Sequence, residues 1–165
     1  APPFQRDDWQ DALSRIPLAV REDWAASGEA LAADASEEFK QFADWSMFLV
    51  ERMHAAGVPI GAGTDTPIML SVPGYSLHSE LEFLVAAGLS PLEALRSATE
   101  RPAEYFSLDA EMGSVDVGKV ADLVLLDANP LENIAHIREI SAVVSKGEFL
   151  SRADLDDLVE AARGD

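Results

Sequence analysis

The sequence contains no cysteine. Disulfides and thiolate metal sites are therefore excluded, and the redox compartment is left unread. Basic residues are scarce: 12 Lys and Arg stand against 30 Asp and Glu, for a net charge of −18. A surface of that sign repels phosphate backbones and anionic headgroups, so nucleic acid and a membrane surface are poor partners. The acidity suits either a salt-rich habitat or a need for solubility. No apolar run approaches the roughly 20 residues of a membrane-spanning helix. The opening APPFQRDDWQ has neither a basic n-region nor an apolar h-region, so no signal peptide is expected. A start Met is also missing, as expected of a chain that begins partway through a larger one or has been processed. Histidine is sparse too: His54, His78 and His136 stand apart, and none forms an HxH pair.

What is present is enough for one domain with a core: 165 residues, 48% of them hydrophobic, rule out a wholly disordered chain. Residues 1–35 are the least regular, with short helical stretches expected over Asp7–Arg15 and Pro17–Ala26. Ser36 is a good N-cap, and Glu37 and Glu38 suit the first turn of a helix. Phe39, Phe42, Trp45, Phe48, Leu49 and Met53 recur at three- and four-residue spacing and make one apolar stripe, which Gly57 ends. Val58–Gly63 is short, apolar and bounded by turn residues, and reads as a buried strand. A loop follows over Thr64–Ser76. Further helices are expected over Leu77–Ala87, from Ser90-Pro91 onward, and over Pro102–Phe106. Gly113–Gly118 reads as a strand and turn, 121–127 as a buried strand, and Ile140–Ser145 as another, turned at Lys146-Gly147. Ala153–Arg163 closes the chain as a helix. The fold class is α/β.

Among the polar residues, Asp65 has two readings. It follows Gly-Thr and precedes Thr-Pro, a context that suits a turn or a cap. It also stands at the end of an apolar strand, where a carboxylate is open to a chemical role. Thr64, Thr66 and Tyr75 are loop candidates for substrate contact, with turn structure and packing as the alternative. His78 either approaches a substrate or metal or is a helix N-terminal residue with a free ring. His54, in the last turn of its helix, suits the helix dipole, and His136 reads as solvated. Glu80 and Glu82 read as the exposed face of a helix.

GAGTD at 61–65, HSELEFLVAAGLSPLEALRSATERPAEYF at 78–106 and GSVDVGKVADLVLLDANPLENI at 113–134, in that order, resemble the amidohydrolase superfamily. The nearest likeness is to its imidazolonepropionase-like and prolidase-like metal hydrolases. The resemblance covers about 36–151. It implies the C-terminal part of a (β/α)8 barrel, with the last strand and its helices in 1–110. Returning strands of a small β-sandwich would then lie in 111–151 and a terminal helix in 152–165. It also implies hydrolysis of a C–N bond, in a cyclic amide, a dipeptide-like compound or an N-acylated small molecule, by metal-activated water. Asp65 would be both a metal ligand and the general acid/base. One or two divalent ions are implied, zinc first, mostly ligated by residues outside this chain. The family's HxH strand, its bridging Lys and its later strand histidines are absent here. The implied partner is thus the remainder of the same enzyme or a chain carrying HxH, and these residues alone are expected to be inactive. A homo-oligomer is compatible with all of this. Two other readings stay open: a non-catalytic remnant or subunit that packs with a partner chain, and a deaminase of the same superfamily.

Overall fold

A computed structural model describes residues 6–33, 36–68 and 70–162. Six α-helices come first: α1 (Asp7–Leu13), α2 (Leu18–Ala33), α3 (Glu37–Ala55), α4 (Ser76–Ala86), α5 (Pro91–Ser97) and α6 (Glu100–Tyr105). Strand β1 (Leu123–Leu126), a 3-10 turn (Ile134–Arg138), β2 (Ile140–Ser145), β3 (Glu148–Ser151) and helix α7 (Arg152–Ala162) follow. The fold is α/β with one small three-stranded antiparallel sheet in the order β1-β2-β3.

Local chemistry sets the helix ends. The Ser36 hydroxyl accepts from Phe39 N at 3.3 Å and caps α3 as its sequence predicts. Gly57, at φ 74°, ends that helix: its N–H donates to His54 O and Val58 N–H to Met53 O. Ser90 and Glu93 form a reciprocal capping box on α5, with Pro91 in its first turn. The second expected helix runs longer than its sequence pattern suggests, to Ala33, and Arg163 lies outside the described residues.

Two hydrophobic clusters hold the chain together. One gathers Trp9, Ala12, Leu13, Trp24, Val72 and Tyr75, so it joins α1 and α2 to the loop before α4. The other gathers Leu81, Leu84, Leu89, Ala94, Ile134 and Ile137, joining α4, α5 and the 3-10 turn. Helix α4 follows the first cluster and contributes to the second, which makes it the central element.

Three expectations need correction. Val58–Gly63 is not a ladder strand. Burial alternates along it, with Ile60, Ala62 and Thr64 half-buried and Gly61, Gly63 and Asp65 exposed, as in a strand. Among the described residues, however, no segment pairs with it, and a strand exists only through its neighbour's hydrogen bonds. Gly113–Gly118 forms turns without a strand. The 121–127 strand shortens to Leu123–Leu126 and is not buried: Leu123, Val124 and Leu125 face solvent because, among the described residues, no second layer covers them. No helix among the described residues is long and apolar enough to cross a membrane.

Candidate functional site

The segment leaving α3 carries the candidate residues. Two hydrogen bonds reach its backbone: Ala62 N–H donates to Ser97 O at 2.8 Å, and Gly63 N–H donates to Glu80 Oε1 at 2.6 Å. Ser97 is buried and its hydroxyl is tied to Ala94 O, so the first anchor is rigid. Asp65 follows, at φ 53°, in the left-handed region that Asp tolerates better than most residues. Its carbonyl accepts from Ile68 N–H at 3.2 Å, so the backbone does make a turn here. The carboxylate takes no part in that turn. It is exposed and, among the described residues, has no hydrogen bond or ion pair.

Thr64 and Thr66 flank it in a hydroxyl chain. Thr64 Oγ1 and Thr66 Oγ1 lie 2.7 Å apart, Thr66 Oγ1 and Ser71 Oγ 2.7 Å apart, and Ser71 Oγ donates to Thr64 O at 3.1 Å. The loop is thereby closed on itself around Asp65. Beside it lies an open cleft of about 330 Å³ with Thr64, Ser71, Glu80, Trp9 and Phe83 on its walls.

Tyr75 and His78 sit in a different neighbourhood, a half-buried cluster of charges. Arg138 Nε bonds Glu82 Oε1 at 2.8 Å, and Arg6 Nη1 bonds Glu82 Oε2 at 2.8 Å. Arg6 Nε also pairs with Asp8 at 3.0 Å, and Arg138 Nη1 with Asp8 at 3.3 Å. The Arg138 guanidinium lies 4.6 Å over the Tyr75 ring. Glu82 is therefore an inward, doubly paired carboxylate rather than part of an exposed helix face. Burial disfavours the charged form of Glu82, but the bonds from Arg138 and Arg6 outweigh it and hold its pKa below the usual value. Asp8 behaves alike: burial opposes ionisation, and Arg6, Tyr75 and Arg138 together keep the carboxyl low. Burial, then the Asp8 carboxylate, raises the Tyr75 hydroxyl. That hydroxyl is buried and faces Asp8 without a hydrogen bond of ordinary geometry. Burial, followed by the charge of Arg138, pushes His78 down and favours its neutral ring. Helix α4 joins the two neighbourhoods: Ser79 Oγ accepts from Arg138 at 3.1 Å and also lines the cleft.

The remaining histidines lie elsewhere. His54 Nε2 is 3.8 Å from Glu93, and the His136 ring is fixed by Asn129 O at 2.8 Å rather than freely solvated. Sequence reasoning missed Glu80 and Ser71. Serine in a loop carries no distinguishing signal, and which face of α4 meets the 58–65 segment depends on packing across the chain.

The donor set fits one ligand of a divalent metal site. A free, exposed carboxylate suits a hard or borderline cation. Catalytic zinc takes three protein ligands, and no group of three or more His, Asp or Glu able to hold an ion occurs among the described residues.

The sequence profile of the amidohydrolase family matches residues 46–150. An ochratoxinase from Aspergillus niger is 34% identical over 121 residues, which is 72% of this chain and 24% of that protein. A 5-methylthioadenosine/S-adenosylhomocysteine deaminase from Thermoanaerobacter pseudethanolicus is 29% identical over 119 residues, covering 67% of this chain and 26% of the deaminase. Among solved structures, a protein assigned as a prolidase, from Bifidobacterium longum, superposes with a TM-score of 0.57 at 44% identity. That match covers 68% of this chain and 29% of the other. The chain thus spans about a quarter of the length of the curated relatives it matches.

Proposed function

The chain belongs to the amidohydrolase family, and we propose that it is the C-terminal portion of a metal-dependent hydrolase acting on C–N bonds, with Asp65 as metal ligand and general acid/base. The observation that carries this reading is the Asp65 carboxylate. It ends the segment within the family match, is exposed, and is left unused by the turn it sits in. In this proposal residues 1–110 belong to the last part of a (β/α)8 barrel. Residues 111–151 are strands of a composite β-sandwich, and 152–165 is a terminal helix.

A metal held by Asp65 and by ligands outside this chain, zinc first, would supply Lewis-acid activation of water and of the scissile carbonyl. Asp65 takes the proton from the attacking water and delivers it to the leaving nitrogen. Thr64 and Thr66 hold the loop and offer hydroxyls to a substrate entering the cleft; His78 and Tyr75 support that wall through α4. The relatives named as an ochratoxinase and a prolidase favour an amide or dipeptide-like substrate, so a panel of N-acyl amino acids, Xaa-Pro dipeptides and cyclic amides is the first to try.

The complete protein is expected to bind zinc, and Asp65→Asn to weaken that binding and abolish turnover. Metal content and hydrolysis measured together check this. Unchanged zinc affinity and unchanged turnover in Asp65→Asn overturn it. The match to a deaminase keeps one other chemistry in view, and release of ammonia rather than an amine or amino acid would identify it. A non-catalytic packing subunit is the remaining reading, favoured by the incomplete ligand set. A complete assembly that binds no metal would establish it.

A further inference from the structure

We propose that Glu80 is a positioning residue for Asp65: from α4 its carboxylate clamps the Gly63 N–H and so fixes the chain two residues before the metal-site carboxylate. This rests on the reading of Asp65 given above.

The argument begins with the backbone. Gly63 lies exposed on a segment that no strand pairs among the described residues, so its N–H is left to water or to a side-chain acceptor. Glu80 Oε1 supplies one at 2.6 Å, across 17 residues of chain. An ionised acceptor at this distance makes a strong, charge-assisted bond. Ala62 N–H is held just before it by the buried Ser97 carbonyl, and Thr64 just after it by the hydroxyls of Thr66 and Ser71. Three consecutive residues, 62 to 64, are thereby tied to α5, to α4 and to the loop. Asp65 is delivered from that rigid stretch in a left-handed conformation, which leaves its carboxylate pointing free of its own turn. Ligands held through a second partner keep both geometry and affinity, and loss of the partner costs about 10–100-fold. The second oxygen of Glu80 makes no hydrogen bond among the described residues, and the side chain forms part of the cleft wall beside Thr64. Bond formation through one oxygen therefore leaves the clamp open to a donor on a bound molecule without being broken.

Three variants of the complete protein test the clamp. Glu80→Met keeps most of the side-chain length and removes the acceptor; Glu80→Gln keeps a neutral acceptor; Asp65→Asn removes the metal-site charge. The first measurement is hydrogen exchange of the Gly63 amide in metal-free protein, which needs no activity. Exchange is expected to rise about tenfold or more in Glu80→Met and to stay within about threefold of wild type in Glu80→Gln and Asp65→Asn. The second is zinc affinity by competition with a chelating dye, expected to fall about 10–100-fold in Glu80→Met and to be largely restored in Glu80→Gln. With a substrate in hand, kcat should fall in Glu80→Met while KM holds. Unchanged Gly63 exchange in Glu80→Met overturns the clamp. Faster exchange with wild-type zinc affinity reduces Glu80 to a structural tie and overturns its positioning role. If Asp65→Asn binds zinc normally while Glu80→Met still frees Gly63, the assignment of Asp65 has failed and the clamp has not. Should Glu80→Met fail to fold, Glu80→Asp, one methylene shorter, is held to the same exchange criterion.

Discussion

A methyl group added at Gly113 would sit 2.6 Å from the Ala103 Cβ and 3.1 Å from the Thr99 carbonyl, at a φ of 93° that side chains avoid. Both the backbone conformation and the close approach to α6 require glycine. Gly113→Ala is expected to destabilise the protein by about 1–3 kcal/mol, read from its denaturant midpoint. At this same scale His78 sets a pH dependence. Its folded pKa lies below the ordinary 6.5, so between those values the unfolded chain binds a proton that the folded chain refuses. Its contribution to stability is complete above pH 6.5 and is lost as the pH falls through the lowered folded value. Glu82 and Asp8 are also depressed, from 4.5 and 3.8, and add a second loss below those values. Thermal melts should therefore fall in two stages on acidification, and His78→Gln should remove the first. A wild-type melting temperature flat from pH 7 to 5 would contradict this.

At the scale of elements, α1 is attached in two ways. Trp9 is 1% exposed and its indole N–H donates to Leu70 O at 3.3 Å, while Arg6 and Asp8 join the charge cluster around Arg138. Trp9→Ala leaves a cavity in the first hydrophobic cluster and is expected to cost about 3–5 kcal/mol. Arg138→Met removes one of the two arginines that Glu82 and Asp8 share and leaves Arg6 alone to pair both. Its side chain is 17% exposed and that of Glu82 22%, so solvent screening brings the cost to about 1–3 kcal/mol, below that of a fully buried pair. In that variant trypsin should cut faster at Arg15, just past α1, because the Asp8–Arg138 link from the helix is gone and Arg6–Glu82 is the remaining charge tie. The sequence was readable here in part. Ser36, Gly57 and Ser90 mark helix ends through contacts a few residues away, and all three act as their positions predict. Glu82 misled because periodicity says which residues share a helix face, and only the neighbours decide whether that face meets solvent or two arginines.

At the scale of the molecule, the apolar stripe on α3 has no cover among the described residues. Phe39, Phe42, Trp45 and Phe48 are each more than half exposed, and Leu123, Val124 and Leu125 add a second bare surface on β1. Exposed apolar area of this kind is what an interaction surface presents. In the assembly proposed above, α3 packs against the remainder of the enzyme. Trp45 fluorescence should shift to the blue when this chain meets that remainder, and Trp45→Asp should weaken the association about tenfold or more. Emission unchanged on assembly would place α3 elsewhere.

The sequence by itself determined the family, the order of the helices, and Asp65 as the carboxylate at the end of the 58–65 segment. Those features are written in residue type and short spacing, and they survive whatever surrounds them. The tertiary structure decided the rest. It left 58–63 without a pairing strand among the described residues, because a strand is made by its neighbour. It turned Glu80 toward Gly63 and Glu82 toward two arginines, and it placed Tyr75 under Arg138 instead of beside Asp65. Each of those outcomes depends on which distant segments meet, and side-chain spacing along one chain carries no record of that.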